Sequence, residues 1–430
     1  MPQTDTSSYS AALKIVFGPK LIEELVTTCP LVTRYEKADM MTWEGRDTIE
    51  YPLHVGRNQG FAYGRERGPI AVAGAEEFVS FKVPLMTGWG RLNLSGKVIK
   101  VSQSSAGAWK RSLQNAYDGL RMAFLRDKNR ILFGDGRGVL ALVNGVGVDT
   151  TTLTVDAPGG VAGAVNGARY LQKGMLIGIS NAAGTALAAV RTITAIGAAG
   201  TTVTVDQPVS LTQAPDNGFI FRFPDPSALT LADSALFKEP VGLLGQVDDG
   251  TFLSNYMNVN RTAYPVMKSN VFAAVGALNL DTLQQGFDVA SQLGEEMPTE
   301  LWAHHSTRRA YLALLVANRR YLSTSGANKH DGGFAGQAIE SDIEFGGVPF
   351  KVDRDCPYQT IFGVNWSHAM RYENPAGEWV EDDGNLLRMV PGQDVFEAVW
   401  RSYDNYAMDR VNGTFRLDGI NTNIVVAHVL

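Results

Sequence analysis

The chain has 430 residues, 45% of them hydrophobic, so it can bury a sizeable core and bulk disorder is excluded. Its formal net charge of -6 excludes a strongly basic nucleic-acid binder, because phosphate neutralisation needs a local surplus of Lys and Arg. The two cysteines, Cys29 and Cys356, form no CxxC pair, which excludes a disulfide framework and leaves too few thiols for a zinc site.

The first residues lack the charged-then-apolar layout of a signal peptide, and no apolar run reaches the length of a membrane span. The expectation is a soluble protein made in a reducing cytoplasm. In chain order, a polar lead runs into "AALKIVFGPKLIEELVTTCPLV", where Leu21, Ile22 and Leu25 recur at helical spacing behind Pro19. This segment is too short to build a core of its own.

Two runs of period-two alternation follow. In Asp47–Val55 the apolar positions are Ile49, Tyr51, Leu53 and Val55; in Glu76–Leu85 they are Val79, Phe81, Val83 and Leu85. Each run predicts a strand with one apolar face. Their connection is about twenty residues long and rich in Gly and Arg, where ordinary hairpins close in roughly two to five. A lone two-stranded ribbon is marginal in water, so this hairpin must rest on something.

The next long pattern is helical: Trp109, Leu113, Ala116, Tyr117, Leu120, Phe124 and Ile131 share one face, with Arg111, Asp118, Arg121, Asp127 and Arg130 largely elsewhere. Gly134 is its expected stop, and a helix of about thirty residues is roughly 45 Å long. Composition then shifts. From Val139 to Phe223 the chain is rich in Gly, Ala, Thr and Val and has no Glu. The phrase "TTLTVDAP" (Thr151–Pro158) is echoed by "TTVTVDQP" (Thr201–Pro208), among other short strand-like runs, which predicts a small β-barrel or sandwich inserted between helical neighbours.

Beyond Asp225 the pattern is mixed. "DTLQQGFDVASQLG" opens with a capping-box signature, Asp281 with Gln284, and closes at Gly294. "ELWAHH" predicts a strand, "STRRAYLALLVANRRY" an amphipathic helix, and "EFGGVPFKVDRD" and "TIFGVNW" further strands. The last seventy or so residues alternate between turn-broken and strand-like segments.

Chemistry-bearing motifs are thin. "FGDGRG" (Phe133–Gly138) is glycine-rich, but it follows a helix instead of opening one, so a helix stop is the better reading than a phosphate cradle. His304 and His305 are adjacent, so on a strand they face opposite ways and cannot chelate one metal together. "VEDDG" (Val380–Gly384) reads as a solvated turn or, less readily, a weak calcium loop. "VDRD" (Val352–Asp355) places two carboxylates two apart, fit for acid–base work or for a plain surface strand. Cys356, beside Pro357 with no His nearby, makes a poor nucleophile. The long hairpin mixes Arg57, Arg65 and Arg67 with Glu66, Glu76 and Glu77, a balance suited to a mixed-charge protein surface.

The order of these elements resembles the major capsid proteins of tailed bacteriophages. "FGPKLIEELVTTCPLVTRYEK…GRDTIEYPL" is similar to that family's N-terminal arm leading into its extended loop, and "PTELWAHHSTRRAYLALL" to the strand and helix of its axial domain. "EFGGVPFKVDRDCPYQTIFGVNW" and "EDDGNLLRMVPGQDVFEAVWRSYDNYAMDRVNGTFRLDGI" resemble its closing strands. The resemblance implies an α+β, Hong Kong 97-like phage capsid fold: an N-terminal arm over 1–40, an extended loop with flanking strands over 41–101, and a spine helix of the peripheral domain over 102–138. It further implies an inserted small β-barrel or sandwich over 139–223, a mainly axial domain over 224–374, and C-terminal strands returning to the peripheral domain over 375–430.

On this reading the inter-subunit contacts of the extended loop are Arg57, Phe61, Tyr63, Arg65, Glu66, Arg67, Glu76 and Glu77, and those of the arm are Tyr9, Leu13, Ile15 and Phe17. The hairpin's apolar faces would be completed only in the assembled shell. The implied partners are further copies in pentamers and hexamers of an icosahedral shell, a portal protein at one vertex, a separate scaffolding protein, and packaged double-stranded DNA enclosed without sequence-specific binding. Cement or decoration proteins are a further option. No membrane, enzyme activity, cofactor or metal is implied; the location would be the virion, after synthesis in the host cytoplasm. Some members weld subunits through a loop Lys joined to a neighbour's Asn; here Lys82 is the only lysine on the hairpin, well back on its returning strand, so no such link is expected. An encapsulin-like compartment and a polysaccharide hydrolase or carbohydrate-binding protein are the alternatives.

Overall fold

The computed structural model describes residues 29–38, 48–58, 60–103, 106–145, 150–163, 165–210, 213–225, 230–317, 343–374, 377–381 and 387–422. The expected helix at Leu21, Ile22 and Leu25 lies outside these residues, as does most of the "VEDDG" turn.

A first sheet is organised by the long strand Val395–Met408. One of its sides pairs antiparallel with Met86–Ser95, from Val395 opposite Ser95 to Asp404 opposite Met86. Its other side pairs in turn with Arg388–Met389, Glu378–Trp379 and Ala369–Glu373, and Glu36–Lys37 adds to the last of these in parallel. A short helix that the sequence pattern did not announce, Gly96–Gln103, leads from this sheet into the long helix Ala106–Phe133.

That helix packs on the sheet through Leu120 and Phe124. A Cβ on Gly90 would lie 3.3 Å from Leu120 Cδ2, so these sheet glycines let the helix approach closely. Gly134 ends it, donating its N–H to the Ile131 carbonyl at 2.9 Å. Its last turns run between both sheets, which is why the polar Lys128 and Asn129 are buried beside Leu132 and Phe133. Lys128 Nζ meets Asp404 Oδ2 at 3.0 Å on the long strand.

The second sheet has the order Asn270–Phe272, Phe415–Leu417, Ile361–Val364, Glu300–Ala303, Val348–Val352, Glu344–Phe345. Helices Leu280–Gly294 and His305–Ala317 cover it, setting Leu283, Phe287, Ala290 and Tyr311 against Leu301, Phe350, Ile361 and Phe415. The Phe415 ring fits because Gly286 and Gly363 lack side chains; a Cβ there would come within 2.7 and 2.2 Å of it. The cap of the first helix differs from the sequence reading. Asn279, not Asp281, accepts the N–H of Thr282, at 2.6 Å, and Gln284 turns forward to Asp288. Asp281 instead sits in the first turn, where the helix dipole favours a carboxylate. The C-terminal residues also divide: Val395–Met408 lies by the long helix, whereas Phe415–Leu417 belongs to the second sheet.

Between the helix and the second sheet, strands Val139–Val143, Thr150–Asp156, Leu176–Ser180, Leu187–Ile196, Thr202–Val209 and Phe219–Arg222 close into a barrel. The two echoed Thr-rich phrases are neighbours in it, Leu153 opposite Val203. Leu153, Val155, Val203, Val205, Ile177, Ile179 and Ile193 fill the interior, as alternation on a closed sheet requires. The chain enters and leaves side by side, with the Phe237 N–H on the Arg137 carbonyl and the Ala235 N–H on that of Arg222.

The two sheets meet at the short helix Leu243–Gln246. Arg261 and Arg416, both buried, donate to the carbonyls ending that helix: Arg261 to Gly245 at 3.0 Å and Gln246 at 2.8 Å, Arg416 to Leu244 at 3.0 Å and Val247 at 2.6 Å. Asp248, fully buried, lies between the two guanidinium groups at 3.2 and 3.5 Å. Removing the carboxylate would leave Arg261 in the core without its counter-ion, while Arg416 keeps Asp418 at 2.7 Å, so Asp248→Ala should cost the subunit about 3–5 kcal/mol in chemical denaturation.

Candidate assembly surface

The long hairpin pairs Thr48–Gly56 with Glu77–Pro84, antiparallel, with a bulge next to Gly56. The two ends of this ribbon have opposite environments. At the base, Phe81 and Val83 are buried, with Ile49, Tyr51, Leu53 and Val79 packed on the same core. The Phe81 ring meets Tyr51 at 5.0 Å and Tyr256 at 5.8 Å, and the Lys82 N–H donates to the Met257 carbonyl at 3.0 Å. The expectation that the hairpin's apolar faces wait for another subunit is therefore corrected for its base, which rests on its own chain.

The tip is different. Phe61 is 76% exposed, Tyr63 95%, Ile70 94% and Val72 87%. Phe61 and Tyr63 touch edge to face at 5.3 Å. The two arms stay close, since a Cβ on Gly60 would sit 3.0 Å from the Gly74 nitrogen. The turn lies at Arg65–Gly68, closed by the Gly68 N–H on the Arg65 carbonyl at 2.9 Å, with Arg67 left-handed at φ 60. Arg65, Glu66 and Arg67 are exposed in it, and Arg57, Glu76 and Glu77 are exposed where the paired strands end. Glu77 bonds to the Tyr264 hydroxyl and raises its pKa. Of the eight hairpin residues picked from sequence, Phe61, Tyr63, Arg65, Glu66 and Arg67 lie towards the tip, whereas Arg57, Glu76 and Glu77 lie beside the paired strands, Glu77 against Tyr264 of its own chain. The sequence reading passed over Ile70, Val72 and Phe78, although Ile70 and Val72 carry the same i, i+2 signal as Phe61 and Tyr63. Tyr9, Leu13, Ile15 and Phe17 lie outside the described residues.

Exposed apolar side chains gathered at one loop tip are the kind of surface that protein contacts use. The other chemical candidates resolve into structural roles. Asp353 and Asp355 are not on a surface strand; both are buried and both accept from the Asn129 amide, at 3.0 and 2.7 Å. The Cys356 thiol, wholly buried, is pushed well above its ordinary range by burial, and burial lifts Cys29 to about 11. Neither is a thiolate nucleophile at neutral pH. Among the described residues, no three His, Cys, Asp or Glu side chains are placed to hold a metal, and no helix is long and apolar enough to cross a membrane.

His304 is off the strand, which ends at Ala303. It precedes the helix His305–Ala317, its ring Nδ1 taking the Ser306 N–H at 3.1 Å. Burial first, then Arg169, His305 and Arg309, push its pKa down to about 3. The unfolded chain therefore binds a proton that the folded chain refuses between about pH 3 and 6.5, so stability falls as pH drops through that window. His304→Asn keeps a capping oxygen and removes the titration. Urea denaturation at pH 7 and pH 5 should show an acid loss about 1–2 kcal/mol smaller in this variant than in the unaltered chain.

The division along the ribbon gives a second expectation. Phe81→Ala should cost about 3–5 kcal/mol of subunit stability. Tyr63→Ser should change it by less than about 0.5 kcal/mol, so that any loss of association by Tyr63→Ser reports a contact between chains.

No protein-family model and no curated protein matches the sequence. Solved structures do. A chain of the Cyanophage A-1(L) capsid asymmetric unit superposes with a TM-score of 0.53 at 12% identity, over 97% of this chain and 99% of that one. The capsid chain of a native GTA particle gives 0.50 at 9% identity, over 97% and 99%. The holo-SrpI encapsulin complex of Synechococcus elongatus PCC 7942 gives 0.47 at 9% identity, an overlap too loose to weigh on either reading. Across almost its whole length, this chain carries the fold of phage capsid proteins.

Proposed function

We propose that the chain is the major capsid protein of a tailed double-stranded DNA phage, a structural and non-enzymatic subunit that assembles through pentamers and hexamers into an icosahedral head. The observation that carries this reading is the exposed apolar hairpin tip on a subunit with a full-length capsid fold. The hairpin is then the extended loop, lying over a neighbour; the long helix and first sheet are the peripheral domain; the second sheet with its helices is the axial domain. The barrel is an insertion that braces neighbouring capsomers or faces outward.

The physics supports such a role. A tip that fits a different surface on the next copy makes a head-to-tail contact, and repeated contacts of that kind close into rings and shells. Each can be weak, because many per subunit act together. A net charge of -6 suits a wall that confines DNA without gripping it. Lys82 sits at the hairpin base, 3.3 Å from Glu50, so the subunits associate without a loop-lysine crosslink. A portal at one vertex and a separate scaffolding protein complete the set of partners, and the virion is the destination after synthesis in the host cytoplasm.

Deleting 60–74 tests this directly. The variant should keep the subunit's circular dichroism and melting behaviour and form no shells when co-expressed with scaffolding protein; normal shells would contradict the assigned role of the loop. DNA is the expected content of shells from infected cells, and an enzyme cargo in its place would favour the protein-compartment reading.

A further inference from the structure

The first sheet ends in a long strand with an open side. Met86–Ser95 has ten residues and pairs with Val395–Met408 on one side; among the described residues no strand flanks the other. Sheet edges are normally blunted by brevity, proline or a bulge. Elsewhere in this chain they are: Glu36–Lys37 and Glu344–Phe345 have two residues each, Asn270–Phe272 has three, and Thr48–Gly56 contains Pro52. Met86–Ser95 has no proline and no register shift.

The pairing fixes which backbone groups face outward. Gly96 donates its N–H to the Asp394 carbonyl at 2.9 Å, so the even-numbered residues of the strand bond to the long strand beside it. Thr87, Trp89, Arg91 and Asn93 therefore turn N–H and C=O away from the subunit. Their side chains share the sheet face opposite the long helix, because that helix lies over Gly88 and Gly90. Thr87, Trp89 and Arg91 are exposed there, Trp89 at 61%. Tyr403 meets the Trp89 ring edge to face at 6.1 Å, and Glu397 holds Arg91 at 2.7 Å.

The occupant that this pattern fits is a second copy of the same strand. Two such edges pair antiparallel only by matching odd residues with odd ones, which leaves few registers that keep most of the strand paired. The register centred on Gly90 sets Thr87 opposite Asn93, Trp89 opposite Arg91 and Gly88 opposite Leu92: hydroxyl against amide, ring against guanidinium, small against large. A shift of two residues one way sets Arg91 against Arg91; a shift the other way sets Trp89 against Trp89 and leaves each Arg91 facing Thr87. The hairpin tip is a poor strand donor, broken by Gly60, Gly64, Gly68, Pro69 and Gly74.

We propose that two copies join their Met86–Ser95 edges antiparallel across a two-fold axis at Gly90, forming one continuous sheet in which each Trp89 stacks on the other copy's Arg91. The inference rests on the shell reading and adds a contact of a different symmetry. Head-to-tail contacts through the hairpin tip close a ring, whereas a self-paired edge joins one ring to the next across a two-fold axis of the shell. Main-chain hydrogen bonds supply the affinity and the facing side chains the register, as in strand addition generally.

Crosslinking in assembled shells tests it. In a Cys29→Ser background, Thr87→Cys with Asn93→Cys should give covalent dimers with a short bis-maleimide and nothing larger, because the contact uses up both edges. The two positions lie about 20 Å apart along one strand, so a crosslink joins separate chains. Thr87→Cys alone should give no dimer, which fixes the register. On the unaltered chain, the amides of Thr87, Trp89, Arg91 and Asn93 should exchange at least about tenfold more slowly in shells than in free subunits. Trp89→Pro removes only an outward N–H, so it should fold and form no shells. No crosslink or a ladder of multimers from the double variant, equal exchange in shells and subunits, or normal shells from Trp89→Pro would overturn the proposal. Any of these in intact shells leaves the capsid reading standing and removes this one. Failure of the unaltered chain to form any shell would remove both.

Discussion

The subunit depends on a single buried arrangement, Asp248 held between Arg261 and Arg416. Two guanidinium groups close the carbonyl end of Leu243–Gln246; Asp248, with Asp418 beside Arg416 at 2.7 Å, offsets the charge they bring into the core. Such a cluster adds little net stability over a well-packed apolar one; its directional bonds fix which elements meet. Here they join the second sheet, through Arg416, to the helix. Gln246 carries the link onward, accepting from the Tyr35 hydroxyl and donating to the Tyr406 carbonyl on the long strand of the first sheet.

The hairpin takes its direction from the same place. Arg261 stacks on Tyr256 at 4.7 Å, Tyr256 packs against Phe81, and its hydroxyl exchanges hydrogen bonds with Met408. A ribbon anchored so firmly at its base can carry an apolar tip away from the body, which an unanchored two-stranded hairpin could not do. The tip can hold Phe61, Tyr63, Ile70 and Val72 in water because the base is stabilised within the subunit. The barrel is tied in by similar means: the Tyr170 hydroxyl donates to the Asp355 carbonyl, Arg169 stacks on Tyr358 at 4.2 Å, and Arg222 pairs with Asp127 of the long helix.

What the sequence made legible was what repeats with a period. The helix ending at Phe133, the hairpin strands and the runs that build the barrel all announce themselves through spacing. What it hid was set by tertiary placement. Asp353 and Asp355 read as surface letters because nothing local says that Asn129, more than two hundred positions earlier, will meet both. Asn279 outcompeted Asp281 as a cap because the choice turns on one residue's backbone angle, extended at Asn279, which no pattern encodes. The base of the hairpin looked unsupported because its partners, Tyr256 and the short helix Leu243–Gln246, are distant in sequence and short in extent. On the surface, Ile70 and Val72 were visible in principle, alternating like Phe61 and Tyr63 across the turn.

The central claim is that this fold makes a shell. Negative-stain microscopy with light scattering, on the full chain expressed alone and with its scaffolding partner, tests that most directly. The account predicts closed particles tens of nanometres across in at least the second condition. Monodisperse single chains in both would contradict it.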